Sequence, residues 1–287
     1  MNSYEKITGF ADEIAQELDT QIESVKKLGI KYIEMRGVDG DNLIFHTDDK
    51  VKEIKNKLDD AGIKLSALGS PLGKIGIEDP FEPHFEQFKR ACEIANMMDT
   101  KNIRMFSFYV ADDKRREFRD EVFERMGRFV DYAKKSDVVL LHENEKGIYG
   151  EKAPECRELM DEFACDNFCA IFDFANFVQA GQDTLEAYEL LKDFIVYMHI
   201  KDARNGSGIV VPAGFGDGNV EEILGKLFSS GFNGFLSLEP HLFDFKGFDG
   251  LERGNKTPIA SSGAVLSGFE GFALAHESLI KILNKIK

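Results

Sequence analysis

Two hydrophobic rhythms alternate along the chain. Short, nearly unbroken apolar runs fall at residues 7–10, 32–35, 65–68, 103–106, 138–142, 170–173, 195–200 and 235–238. Runs of that length with few polar interruptions predict strands covered on both faces. Between them the apolar positions recur every three to four residues. In "EPHFEQFKRACEIANMM", Phe85, Phe88, Ala91, Cys92, Ala95 and Met98 share one face; in "RREFRDEVFERMGRFVDYAKK", Phe118, Val122, Met126, Phe129 and Ala133 do the same. That period predicts amphipathic helices. Several of these helices run into a Gly just before the next strand, as in "KKLGIKYI", "DDAGIKLS" and "SSGFNGFL", where Gly supplies the left-handed cap.

Eight such strand–helix units in 287 residues predict one α/β domain over residues 1–287, a (β/α)8 TIM barrel. A doubly wound sheet is the competing arrangement. The first strand, however, leads into "ITGFADEIA" rather than a Gly-rich phosphate loop, which argues against dinucleotide binding. The rhythm breaks once, after the eighth strand. Residues 243–268 are rich in Gly and Ser and carry no clear period, so they read as a long loop, expected to be a lid over the site or an oligomer contact.

Composition narrows the partners. The net charge of −15 argues against a nucleic-acid grip, which draws most of its energy from basic groups on phosphates. No apolar run reaches eighteen residues, so no membrane helix is expected. The N-terminal "MNSYEKITGFADEIAQ" has no basic stretch followed by an apolar one, and a cytoplasmic location is the expectation. The four cysteines form no CxxC pair and read as reduced, partly buried thiols.

The candidate chemistry lies where the strands end. In a barrel of this kind the C-terminal strand ends form the active face. The fifth strand ends "LLHENE" with Glu143, the sixth "AIFDFAN" with Asp173, the seventh "MHIKD" with His199 and the eighth "LSLEPH" with Glu239. Each residue alone has an ordinary explanation as a helix cap, a solvated charge or a core histidine. Together, three carboxylates converging on one mouth would each lose hydration, at several kcal/mol per ion, and repel one another. A divalent cation removes both penalties. Carboxylates with one imidazole suit Mn²⁺, Mg²⁺, Co²⁺ or Zn²⁺.

Given "ENE", "FDFANFVQAG", "HIKD", "PAGFGDGNVEEIL" and "GFLSLEPH" in this order, the chain resembles the xylose isomerase-like TIM barrels over nearly its whole length. It is similar in particular to the sugar phosphate isomerases and epimerases, which also number ketose 3-epimerases and inosose dehydratases among their relatives. The resemblance implies that Glu143, Asp173, His199 and Glu239 ligate one catalytic divalent ion, Mn²⁺ or Zn²⁺ ahead of Mg²⁺ or Co²⁺. It places Lys201, on the same side of its strand as His199, against a substrate oxygen. Asn176 and Arg204 become substrate-binding candidates, and Asp202 is expected to orient a neighbouring ligand or turn. Asn176 stands where the family's Asp-x-x-His string has its histidine. With six histidines in total and none in "PAGFGDGNV", the three-metal site of the related apurinic endonucleases is not expected. His142 and His241 should point away from the ligands beside them, by strand alternation. Arg36, Ser70 and Lys74 on the second and third loops are further substrate or phosphate contacts.

The activity this implies is isomerisation or epimerisation of a sugar or sugar phosphate through an enediolate, with Glu143 and Glu239 as base and acid. Dehydration of an inosose-like cyclitol on the same metal is the alternative reaction. A non-catalytic metal- or carbohydrate-binding barrel is the alternative of another kind.

Overall fold

The computed structural model describes residues 3–242 and 266–286. Eight parallel strands line up as β1 (Ile7–Gly9), β2 (Tyr32–Met35), β3 (Lys64–Leu68), β4 (Asn102–Met105), β5 (Val139–Glu143), β6 (Phe168–Asp173), β7 (Ile195–Ile200) and β8 (Phe235–Leu238). Their order in the sheet is β1-β8-β7-β6-β5-β4-β3-β2, with β1 and β2 also side by side, so the sheet curls into a nearly closed barrel. The predicted barrel is the observed fold, and three of the eight strands begin and end where the hydrophobic pattern put them. The remainder shift by one or two residues at one end or both. The loop expected at 243–268 falls almost wholly outside the described residues.

The helices pack outside: α1 (Leu18–Lys27), α2 (Asp48–Ala61), α3 (Phe81–Met97), α4 (Arg115–Ser136), α5 (Ala153–Phe163), the short α6 (Phe174–Gln179), α7 (Thr184–Leu191), α8 (Val220–Ser229) and α9 (Gly268–Ile286). Their boundaries follow local chemistry. Thr47 accepts from the Lys50 amide to start α2, and Gly62, at φ 72°, ends it. The apolar faces read from the sequence are the buried ones. Phe85 and Phe88 of α3 meet Phe129 and Tyr132 of α4, with Phe88 and Phe129 edge to face at 4.8 Å between centroids. Such aromatic pairs add about 0.5–1.5 kcal/mol each beyond their buried area.

Strand alternation sorts the barrel interior into layers. Val139, Cys169 and Phe235 lie low, with Leu141, Ile171 and Tyr197 packed above them. The next inward positions, two residues further along each strand, are Glu143, Asp173 and His199. The apolar layers below thus give way to a charged layer at the C-terminal mouth.

Candidate active site

All four predicted strand-end groups reach that mouth, and the structure brings them together. Glu143 and Asp173 are the last residues of β5 and β6, His199 is next to last in β7, and Glu239 directly follows β8. Asp173 and His199 are direct register partners. All four are buried, and one donor atom from each lies within 4.8 Å of the other three. His199 Nδ1 stands 2.9 Å from Glu143 Oε1, 3.6 Å from Glu239 Oε2 and 3.7 Å from Asp173 Oδ2. Donors about 2.1 Å from a shared ion are roughly 3.0–4.2 Å from one another, so this spacing fits a metal shell.

The charges point the same way. Asp12, Glu13, Glu34, Glu143, Asp173 and Glu239 are buried carboxylates in this region, and the buried permanent cations facing them are Arg36, Arg104 and Lys201. Lys201 Nζ lies 2.7 Å from Glu239 Oε2 and 3.1 Å from Asp173 Oδ2. Arg104 reaches Glu143 Oε2 at 3.2 Å, and Arg36 reaches Glu239 Oε1 at 3.2 Å while pairing with Asp12 at 2.7 Å. Phe10 supports both guanidiniums, at 4.5 and 4.8 Å from its centroid, and sets its ring against His199. Negative charge remains in excess. Asp173 Oδ2, fully buried, accepts no hydrogen bond. A divalent cation would satisfy that oxygen and offset the excess, so the residues present fit the metal the family pattern implies.

The proton affinities reflect this crowding. Burial pushes the Asp173 carboxyl up to about 7, with Lys201 opposing and Glu143 and Glu239 adding to it. Burial acts on Glu143 in the same sense, but His199 and Arg104 outweigh it and bring the group down to about 2. Glu239 is likewise held well below the carboxylate range, where Lys201 and His241 overcome its burial. Burial alone would keep His199 neutral; Glu143 and Glu34 on its two sides reverse that and raise it well above its usual value.

The other predicted residues divide. Lys201 is in the site. Asn176 is buried, and its amide donates to Glu143 Oε1 at 3.3 Å and to the Asn144 carbonyl at 2.9 Å, while its backbone N–H donates to Asp173 Oδ1 at 2.8 Å. It therefore braces two of the acidic groups. Asp202 touches none of the four. Its two oxygens accept the backbone N–H groups of Ala203, Gly214, Gly216 and Gly218 at 2.8–3.1 Å, pinning the glycine loop 212–218 beside the mouth. That is the turn-orienting role. Arg204 is exposed, and no hydrogen bond or ion pair joins it to the four. Of the loop candidates, Arg36 enters the site, Lys74 pairs with Glu145 at 2.9 Å, and Ser70 Oγ donates to the Arg104 carbonyl at 2.5 Å.

His142 points away from the site, with Nε2 at 3.0 Å from Ser107 Oγ, as alternation requires. His241 does not. Its Nε2 lies 3.4 Å from Glu239 Oε1 and 3.3 Å from Glu13 Oε1. The expectation fails because His241 stands two residues after Glu239, and a period of two puts such a pair on the same side, as it does His199 and Lys201. Sequence reasoning also missed Glu13, Glu34 and Arg104. For Glu34 and Arg104 the available signal was alternation: Glu34 stands two residues before Arg36 on the inward side of β2, and Arg104 two before Phe106.

With the geometry in view, the comparisons agree. The family described as xylose isomerase-like TIM barrel matches residues 22–257, and the chain belongs to that family. A 3-dehydroshikimate dehydratase of Bacillus anthracis is 22% identical over 175 residues, 61% of this chain; the match spans about 62% of that protein's length. The IOLI protein, solved with a bound zinc atom, superposes with a TM-score of 0.74 at 17% identity, covering 98% of this chain and 99% of the other. D-psicose 3-epimerase from Clostridium cellulolyticum H10, solved with D-tagatose, gives 0.70 at 16% identity, with 98% and 99% covered. At these identities the superpositions establish the fold.

Proposed function

We propose that this member of the xylose isomerase-like TIM barrel family is a divalent-metal-dependent isomerase or epimerase of a small hydroxy-ketone, a sugar or sugar phosphate. The observation that carries the reading is the buried quartet of Glu143, Asp173, His199 and Glu239, with Asp173 Oδ2 accepting no hydrogen bond although Lys201 Nζ lies 3.1 Å from it. A divalent ion held there would supply Lewis-acid polarisation of the substrate's carbonyl and neighbouring hydroxyl, and the IOLI protein, of the same fold, was solved with a bound zinc atom. Glu143 and Glu239 approach from β5 and from the end of β8, and both are held ionised by the cations around them. Either can therefore accept a proton from the hydroxyl-bearing carbon beside the carbonyl; isomerisation returns that proton from the same carboxyl, and epimerisation delivers one to the other face from the second carboxyl after it has drawn a proton from solvent. Lys201 and Arg104, buried beside them, offer donors to the negative charge that develops on the substrate oxygens. Phe10 and the apolar layer below keep water from the underside.

Loss of a β-hydroxyl is the second reading. The named activity of the B. anthracis relative favours it, as does the Lys201 ammonium 2.7 Å from Glu239, which can protonate a departing hydroxyl.

The test is a panel of ketoses, ketose phosphates and cyclitol ketones incubated in D₂O with Mn²⁺ or Zn²⁺. The proposal expects deuterium at the carbon beside the carbonyl. It also expects Glu143→Gln and Glu239→Gln each to abolish turnover in a folded protein. An ultraviolet-absorbing conjugated product selects dehydration, and both variants turning over at the wild-type rate contradict the mechanism.

A further inference from the structure

Beneath the quartet lies a carboxylate that the proposed chemistry does not use. Glu34, in the middle of β2, is fully buried. Its Oε2 accepts the hydroxyl hydrogens of Tyr197 at 2.9 Å and Ser237 at 2.6 Å. Both of its oxygens face His199 Nε2, at 3.1 and 3.3 Å. The Tyr197 hydroxyl also meets Ser66 Oγ at 2.9 Å, which meets Thr8 Oγ1 at 2.8 Å. Strands β1, β2, β3, β7 and β8 thus each send a polar group to one point in an otherwise apolar interior. On β3 a register shift opposite Ile33 and Glu34 inserts Ser66 as an extra residue. The bulge lets Ser66 join this network while Ala67 packs with Leu141 and Tyr197.

We infer that Glu34 is the positioning residue for His199: it keeps the imidazole proton on Nε2 and so presents Nδ1 to the metal. The inference rests on the metal-centre reading above. Two hydroxyls already donate to Glu34, which fixes it as an acceptor, and an acceptor facing Nε2 demands an N–H there. Nδ1 faces Glu143 Oε1 at 2.9 Å, so without metal both nitrogens carry an N–H; a divalent ion takes the place of the Nδ1 proton, and the one N–H of the neutral imidazole is then the one Glu34 holds. Nδ1 is the nitrogen that faces Glu143, Asp173 and Glu239. The rings of Phe10 and Tyr197 stand at steep angles to the imidazole, 5.3 and 5.9 Å away between centroids, and hold its orientation. A carboxylate behind a ligating histidine also raises its donor strength, and loss of such a partner typically costs about 10–100-fold in metal affinity.

A purely structural Glu34 would stabilise the barrel and leave the metal unaffected. Two measurements separate the roles. In Zn²⁺-loaded wild type with ¹⁵N-labelled histidine, long-range ¹H–¹⁵N correlation spectra should show His199 protonated on Nε2 and metal-bound through Nδ1. The opposite tautomer overturns the inference without any substitution. In a Zn²⁺ titration against a chromophoric chelator, folded Glu34→Gln should bind about 10–100-fold more weakly than wild type. Tyr197→Phe, which removes one donor to Glu34 and leaves the His199 contact, should weaken binding less and supplies the comparison if Glu34→Gln does not fold. Wild-type binding that neither variant weakens overturns the role of Glu34 alone. No Zn²⁺ binding by wild type overturns the metal-centre reading, and this inference with it.

Discussion

Replacing Asp202 with Ala should destabilise the metal-free protein by about 2–4 kcal/mol. Asp202 is buried at the start of the segment after β7 and gathers four backbone N–H groups, two on each oxygen. Hydrogen bonds to a charged group are worth about 1.5–3 kcal/mol each, so a simple sum would exceed what single substitutions ordinarily cost. Two effects reduce it. Burial pushes the Asp202 carboxyl above its usual range against all four donors, which shows that desolvation takes back much of the gain. The freed N–H groups of the loop can also turn to water. The remaining few kcal/mol should appear as a lower urea midpoint at unchanged slope and a melting temperature lower by roughly 5–15 °C. Asp202→Asn keeps one accepting oxygen but sets an amide NH₂ against the other two donors, and should fall in the same range. Gly218→Ala should also destabilise, since a Cβ there would lie 2.7 Å from Asp202 Oδ1. An Asp202→Ala loss below about 0.5 kcal/mol would refute the claim that this carboxylate holds the loop.

Two further outcomes follow from other buried groups. Lys201→Met strips the ammonium from Asp173 and Glu239, so the metal-free protein should lose about 3–5 kcal/mol, and added Zn²⁺ should narrow the gap in a thermal-shift assay. Equal melting of variant and wild type without metal would contradict the pairing. His84 Nε2 accepts the Gly73 N–H at 2.7 Å, and burial holds this imidazole below its usual value. The unfolded chain therefore takes up a proton first, and stability should decline as pH falls below about 6.5. His84→Gln should flatten the stability profile between about pH 6.5 and 5, as read by urea unfolding at each pH; an unchanged slope would show that His84 does not titrate as described.

Much of this was legible in the sequence because the barrel reduces it to counting. Strands covered on both faces are apolar runs, so β2, β7 and β8 could be bounded to the residue. Chemistry confined to strand ends then singled out Glu143, Asp173, His199 and Glu239. Glu34 and Arg104 escaped because alternation groups them with Arg36 and Phe106 on one side of their strands without saying whether that side faces water or the barrel axis. Only closure of the barrel, which sets β2 opposite β7, gives Glu34 its partner in His199. The expectation for His241 failed because its spacing of two from Glu239 puts both on one side, the same rule that joins Lys201 to His199. Asp202 was expected to orient a ligand or a turn, but three of its four donors come from a loop more than ten residues downstream, and that pairing exists only in three dimensions.

The central claim is that Glu143, Asp173, His199 and Glu239 hold one divalent ion. Anomalous diffraction from Mn²⁺-loaded crystals tests it most directly. The account predicts a single strong peak among these four side chains, with His199 Nδ1 and an oxygen of each carboxylate about 2.0–2.4 Å away. A crystal with no peak there, or with its peak at the neighbouring group of Glu13, Glu239 and His241, would contradict it.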